Sequence, residues 1–249
     1  MHDRLVIACT EMGDLSKARG YLAEVDATNK PAELLFFEGE WELAGKRLTA
    51  DFERSLTAGN REDELDWGLP LARLYRFTGD HAKAVQVLQR ALDISVDGGD
   101  ILYELAIRSS LATMAADAGD AREALPHLQR CLQIVGAGEN WFGIAGMVER
   151  AEAVVAAAQG KYAPAEDQFK KAIATFQHYC LPWEQADTLH FWGRALLAAG
   201  ERARAIEKFH AAIEIYHSHG AGARFVEYVM ADKKRAQSSK STNGAVKPR

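Results

Sequence analysis

The sequence predicts an all-α protein built as a stack of six antiparallel helix hairpins with one further helix closing the stack. Three observations predict it. A glycine recurs at Gly79, Gly119, Gly160 and Gly200, in steps of 40, 41 and 40 residues. An alanine stands five residues after each, at Ala84, Ala124, Ala165 and Ala205, and two earlier pairs keep the rule, Gly13 with Ala18 and Gly39 with Ala44. Four residues beyond each alanine comes a large apolar side chain: Leu22, Leu48, Leu88, Leu128, Phe169 or Phe209. In the last four copies the stripe continues through Ala91, Cys131, Ala172 and Ala212 to Leu92, Leu132, Ile173 and Ile213. Spacings of three, four and seven trace one face of an α-helix.

Each glycine ends one helix and lets the chain reverse, because without a Cβ it adopts the left-handed conformation at no steric cost. The alanine then leaves room for the returning helix. On the incoming helix the matching small residue stands seven before the glycine: Ala32, Ala72, Ala112, Ala153 and Gly193, with Val6 the exception. The first hairpin has about a dozen residues before Gly13, fewer than the later ones. Its edge residues Leu5, Val6 and Cys9 predict either a preceding domain or a surface that pairs, since helical stacks need capped ends. The second hairpin is short, and "PAELLFFE" is a stunted incoming helix begun by Pro31. Hairpins three to six are full length. "GARFVEYVMADKKRAQ" predicts an amphipathic helix laid over hairpin six, and residues 237–249, "QSSKSTNGAVKPR", have the composition of a disordered tail.

Composition narrows the function classes. The formal net charge is −5, and a domain gripping nucleic acid through phosphates is usually basic. No apolar run reaches the ~18 residues that span a bilayer. "VIAC" at 6–9 lacks the basic leader of a secretion signal and has Asp3 in its place. A cytoplasmic location without membrane or nucleic-acid contact is the expectation. The three cysteines are scattered and form no CxxC pair. His210, His217 and His219 lie near the end of hairpin six, with His178 one hairpin earlier, but a zinc site needs three or four converging ligands and few carboxylates stand nearby. GxSxG, HExxH and GxGxxG motifs are absent, and "GAGENW" fails at its last glycine. A non-catalytic protein without metal or cofactor is expected. Trp41, Trp141, Trp183 and Trp192 fall on core or inter-hairpin phases.

The stretch "TLHFWGRALLAAGERARAIEKFHAAI" (188–213) resembles a nearly complete tetratricopeptide repeat, through Gly193, Gly200, Ala205, Phe209 and Ala212. The other copies are degenerate but in phase, over roughly residues 1–218. The usual repeat is about 34 residues; this one is about 40, a length similar to the sensor arms of bacterial signalling ATPases, namely maltose-regulator-like activators and ATPase-linked nucleotide cyclases. The phosphate-binding GxxxxGK[ST] of those ATPases is absent. The resemblance implies a right-handed superhelix over residues 1–236 whose incoming helices line a concave groove.

Carrying over the groove-facing phases implies a site made of Asp66, Arg73, Arg76, Thr113, Asp117, Arg150, Asp187, His190 and Arg194, with Ser109 beside them. Its arginines imply bidentate recognition of carboxylates. The lysine and asparagine clamp of chaperone-binding relatives is missing; Leu69, Arg73, Ser109, Thr113, Arg150, Val154, His190 and Arg194 occupy those places. Two functions follow as expectations. One is a scaffold that binds an acidic protein or peptide partner in the groove, with self-association through the N-terminal edge. The other is a sensor of an anionic metabolite using the same groove.

Overall fold

A computed structural model describes residues 2–25, 30–138 and 141–238. Among these, thirteen helices and no strands are found. The helices pair in sequence as six hairpins. These are α1 (His2–Glu11) with α2 (Leu15–Val25), α3 (Ala32–Phe37) with α4 (Trp41–Ala58), and α5 (Arg61–Thr78) with α6 (His81–Gly98). Then come α7 (Ile101–Asp117) with α8 (Ala121–Val135), α9 (Ile144–Ala158) with α10 (Tyr162–His178), and α11 (Pro182–Ala198) with α12 (Arg202–Ser218). Helix α13 (Ala223–Ser238) follows. It runs two residues into the segment expected to be a tail, and residues 239–249 lie outside the described residues.

All six turn glycines have φ between +74° and +88°. In three hairpins the next residue is an aspartate whose side chain accepts from a backbone N–H three residues on, Asp14 from Lys17, Asp80 from Lys83 and Asp120 from Glu123, and Asp100 does the same for Tyr103 where the fourth hairpin begins. Left-handed closure followed at once by an N-cap keeps these connections short. The small residues meet where the spacing requires, with Ala18, Ala44, Ala84, Ala124, Ala165 and Ala205 all at most 2% exposed. Gly193 shows how close the helices come: a Cβ there would lie 2.6 Å from Cδ1 of the buried Phe209 ring. One stripe residue departs from expectation. Leu132 is 42% exposed, although its α8 neighbours Cys131 and Ile134 are buried.

Each helix packs chiefly on those one or two places along the chain, as in a progressive stack. The stack is nevertheless wound tightly enough for its ends to meet. The Trp183 indole N–H donates to the Thr10 carbonyl oxygen (2.6 Å) and the Gly222 N–H to that of Phe37 (2.8 Å). His219 Nδ1 lies 3.1 Å from Gly13 O. Phe225 of α13 sits among Phe36, Phe37, Trp41 and Phe77, with ring centroids 5.0–5.6 Å away. The N-terminal edge therefore meets the chain's own far end in part: Val6 is buried, whereas Leu5 keeps 40% of its surface. Trp41, Trp141, Trp183 and Trp192 are all buried.

Candidate functional site: the inner cavity

Helices α5, α7, α9 and α11 are the incoming helices of hairpins three to six, and they carry the residues expected in the groove. Because the stack winds tightly, α11 comes to face α5. Arg73 donates to Glu184 (2.7 Å) and to Glu11 (3.1 Å). Arg76 makes a bidentate pair with Asp187, at 3.1 and 2.8 Å. Arg150 of α9 donates to Glu184 (2.6 Å) and lies 3.5 Å from Asp187. Arg76 also stacks over Phe77, 4.3 Å from the ring centroid. The concave side is thus bridged from wall to wall by charge-assisted hydrogen bonds between residues 111 positions apart.

The expected residues separate into two groups. Asp66, Arg73, Arg76, Thr113, Arg150 and Asp187 line one cavity of about 320 Å³. The Thr113 hydroxyl donates to the Ser109 carbonyl oxygen (2.7 Å), and Ser109 likewise to Leu105 (2.7 Å). Asp117, His190 and Arg194 gather elsewhere, at the end of the groove that α13 occupies. There Arg194 donates to Asp117 (2.6 Å), and His190 Nε2 lies 2.9 Å from Asp232 of α13. The His190 ring lies between Phe209 and Tyr228. Burial pushes the Asp117 carboxyl upward despite Arg194. Burial acts the same way on Asp232, but the His190 contact outweighs it and leaves that carboxyl below its ordinary range.

Around the cavity, burial would raise Glu184 as well, yet Arg150 and Arg73 overcome it and hold the carboxyl at about 2. Glu33 of α3 behaves oppositely. Burial raises it and Glu11 and Asp51 push it further up, while its own backbone N–H and the nearby Arg73 offset that only in part. Asp66 accepts a hydrogen bond from the Tyr103 hydroxyl. Apolar surface from Ile7, Leu69, Pro70, Ala106, Met114, Met147 and Phe191 completes the lining.

The groove is less basic than the sequence implied. The three arginines of the cavity face five carboxyls, from Glu11, Glu33, Asp66, Glu184 and Asp187. Sequence reasoning missed Glu11, Glu33, Tyr103 and Glu184. All four carried a signal. Tyr103 and Glu184 each stand sixteen residues before their turn glycine, Gly119 and Gly200. That is three residues beyond the last phase carried over, so it is the same face one helical turn earlier. A helix longer than the usual repeat adds that turn to the groove wall. Glu11 and Glu33 stood on phases already in use, Glu11 two residues before Gly13 as Asp117 is before Gly119, and Glu33 six before Gly39 as Arg73 is before Gly79; they were passed over because the carry-over stopped at the four full-length hairpins.

The histidines near the end of hairpin six have separate neighbours, with His219 against Gly13 and His210 Nδ1 3.3 Å from Glu214. No group of three or more His, Cys, Asp or Glu among the described residues is placed to hold a metal ion. Among them no helix is long and apolar enough to cross a membrane.

Residues 65–137, the third and fourth hairpins, match the family model described as tetratricopeptide repeat. Among solved structures the chain is similar to a tetratricopeptide repeat protein from Parabacteroides merdae ATCC 43184, with 15% identity, 92% of this chain and 99% of that chain covered, and a TM-score of 0.43. No curated protein matches the sequence.

Proposed function

We propose that this chain is a non-catalytic helical-repeat binding module that takes a small molecule in its inner cavity and presents its outer surface as a scaffold. One observation carries the reading. The bridges Arg73–Glu184 and Arg76–Asp187 close the concave side around a space of about 320 Å³, a size suited to a small ligand and not to a peptide strand. A ligand there touches α5, α7, α9 and α11 together, so its binding energy bears on how tightly the stack is wound. This fits the resemblance to the sensor arms of signalling ATPases, in which such a module would report ligand to an attached or separate partner.

A protein partner is the second reading, favoured by the tetratricopeptide match over residues 65–137. A partner with acidic side chains entering the groove would have to displace Glu184 and Asp187 from their arginines. The test compares fragment binding, by ligand-observed NMR, to the wild-type protein and to Ala106→Leu, which fills the cavity from α7. Fragments lost in the variant support the cavity. Fragments that bind both proteins alike place the site elsewhere, and acidic peptides that bind both with no fragment binding favour the second reading.

A further inference from the structure

Arg150 lines the inner cavity and is 5% exposed. Its Nη1 is taken, donating to Glu184 (2.6 Å) and standing 3.5 Å from Asp187. Its Nε–H has no hydrogen-bond partner, and no bond runs from Nη2 to any described residue. We propose that the cavity takes a small neutral molecule with a carbonyl-type oxygen on an apolar body, and that Arg150 donates to that oxygen through Nε–H and Nη2–H. This rests on the small-molecule reading above and names its chemistry.

The guanidinium is planar, and its Nε–H and the neighbouring Nη2–H point the same way as a two-donor fork. With Nη1 turned to Glu184 and Asp187, that fork is the edge left over. Glu184 and Asp187 line the cavity too, so the charged end of Arg150 lies in its wall and not behind it. The rings of Phe176 and Phe191, with centroids 5.5 and 6.0 Å from Cζ, flank the group without offering an acceptor oxygen. A buried donor left unpaired is unfavourable, the more so on a charged group, and an acceptor on a ligand relieves it. The other two arginines of the cavity differ: Arg73 commits both Nη atoms to Glu11 and Glu184, and Arg76 both to Asp187.

Charge selects a neutral ligand. Each cavity arginine already faces a carboxylate, and the lining holds more carboxyls than arginines. An anion on the Arg150 fork would add a like charge to that space, and juxtaposed like charges are costly. A cation finds the carboxylates engaged, Glu184 and Asp187 by arginines and Asp66 by the Tyr103 hydroxyl. A carbonyl oxygen meets neither obstacle. The rest of the wall suits an apolar body: Leu69, Ala106, Met114, Met147 and Phe191 line it, and thioethers pack well on flat rings. About 320 Å³ is roughly the volume of ten waters, room for one ring and a polar group.

Benzamide, benzoate, benzylamine and toluene share one ring and differ in the head group. Each is titrated against the full chain at neutral pH and constant ionic strength by ligand-observed NMR. Benzamide should bind at least about tenfold more tightly than the other three, the worth of a hydrogen bond to a charged donor. In the wild-type protein it should also move one arginine Hε–Nε correlation downfield, a shift that toluene does not produce. Arg150→Lys keeps the charge opposite Glu184 but lacks the fork; it should lose most of the preference for benzamide over toluene, with its fold checked by circular dichroism. The wild-type ranking and the Hε shift need no variant. Benzoate or benzylamine binding as tightly as benzamide, blocked by Ala106→Leu, overturns the neutral ligand while the cavity reading stands. Equal binding of benzamide and toluene, or a benzamide complex with no Hε shift, overturns the role of Arg150 in the same way. Fragments that bind the cavity when none of the four does also overturn it. If neither this series nor the fragment set binds the wild-type protein, both readings fall.

Discussion

Glu184→Gln is the most direct test of the wall-to-wall bridging. Glu184 sits between Arg73 and Arg150, with its side chain 14% exposed and theirs 29% and 6%. The substitution keeps the shape but withdraws the negative charge from two largely buried guanidiniums. A carboxyl held at about 2 against an ordinary 4.5 corresponds to about 3 kcal/mol, at about 1.4 kcal/mol per pH unit. Breaking a buried ion pair typically costs about 3–5 kcal/mol. Here Arg73 keeps Glu11 and Arg150 keeps Asp187, which brings the expected loss to about 2–3 kcal/mol. For a chain of this length that lowers Tm by roughly 5–10 °C. Because the folded-state pKa is depressed, the contribution is complete above about pH 4.5 and is lost as pH falls toward 2. The gap between wild type and variant, measured by urea denaturation, should therefore be constant from pH 7 to 5 and clearly smaller at pH 3. A Tm within about 1 °C of wild type, or a gap as large at pH 3 as at pH 5, would refute the reasoning.

Other consequences follow from the same contacts. Gly193→Ala drives a Cβ into the Phe209 ring and should cost about 1–3 kcal/mol, as should Ala205→Leu at the same crossing; unchanged thermal denaturation would disprove the close approach. Gly222→Ala places a Cβ 2.6 Å from Gly39 Cα and against the Glu38 carbonyl, so the ends of the stack must part. Faster amide exchange in α3 and α13, with α7–α10 unaffected, is the expected result. Cys180 adopts φ +54° where Gly59, Gly99 and Gly220 occupy the equivalent turns with positive φ. Cys180→Gly should therefore raise stability by up to about 1 kcal/mol, the left-handed strain relieved less the added chain entropy of glycine; a lower denaturation midpoint would contradict that.

Sequence alone determined the hairpins. Gly200, Ala205, Phe209 and Gly193 lie within seventeen residues of one another, and the crossing they encode is complete within one hairpin. Close packing at each turn leaves little freedom, so a short-range pattern suffices. The same pattern placed Arg73, Arg76, Arg150 and Asp187 on one wall, but not what they face. Whether α5 meets α11 depends on small rotations accumulated across the two intervening hairpins, and each rotation is set by many side chains at once. Only the tertiary structure decided that the winding closes, that Glu11, Glu33 and Glu184 join the arginines, and that the enclosed space carries more negative than positive charge.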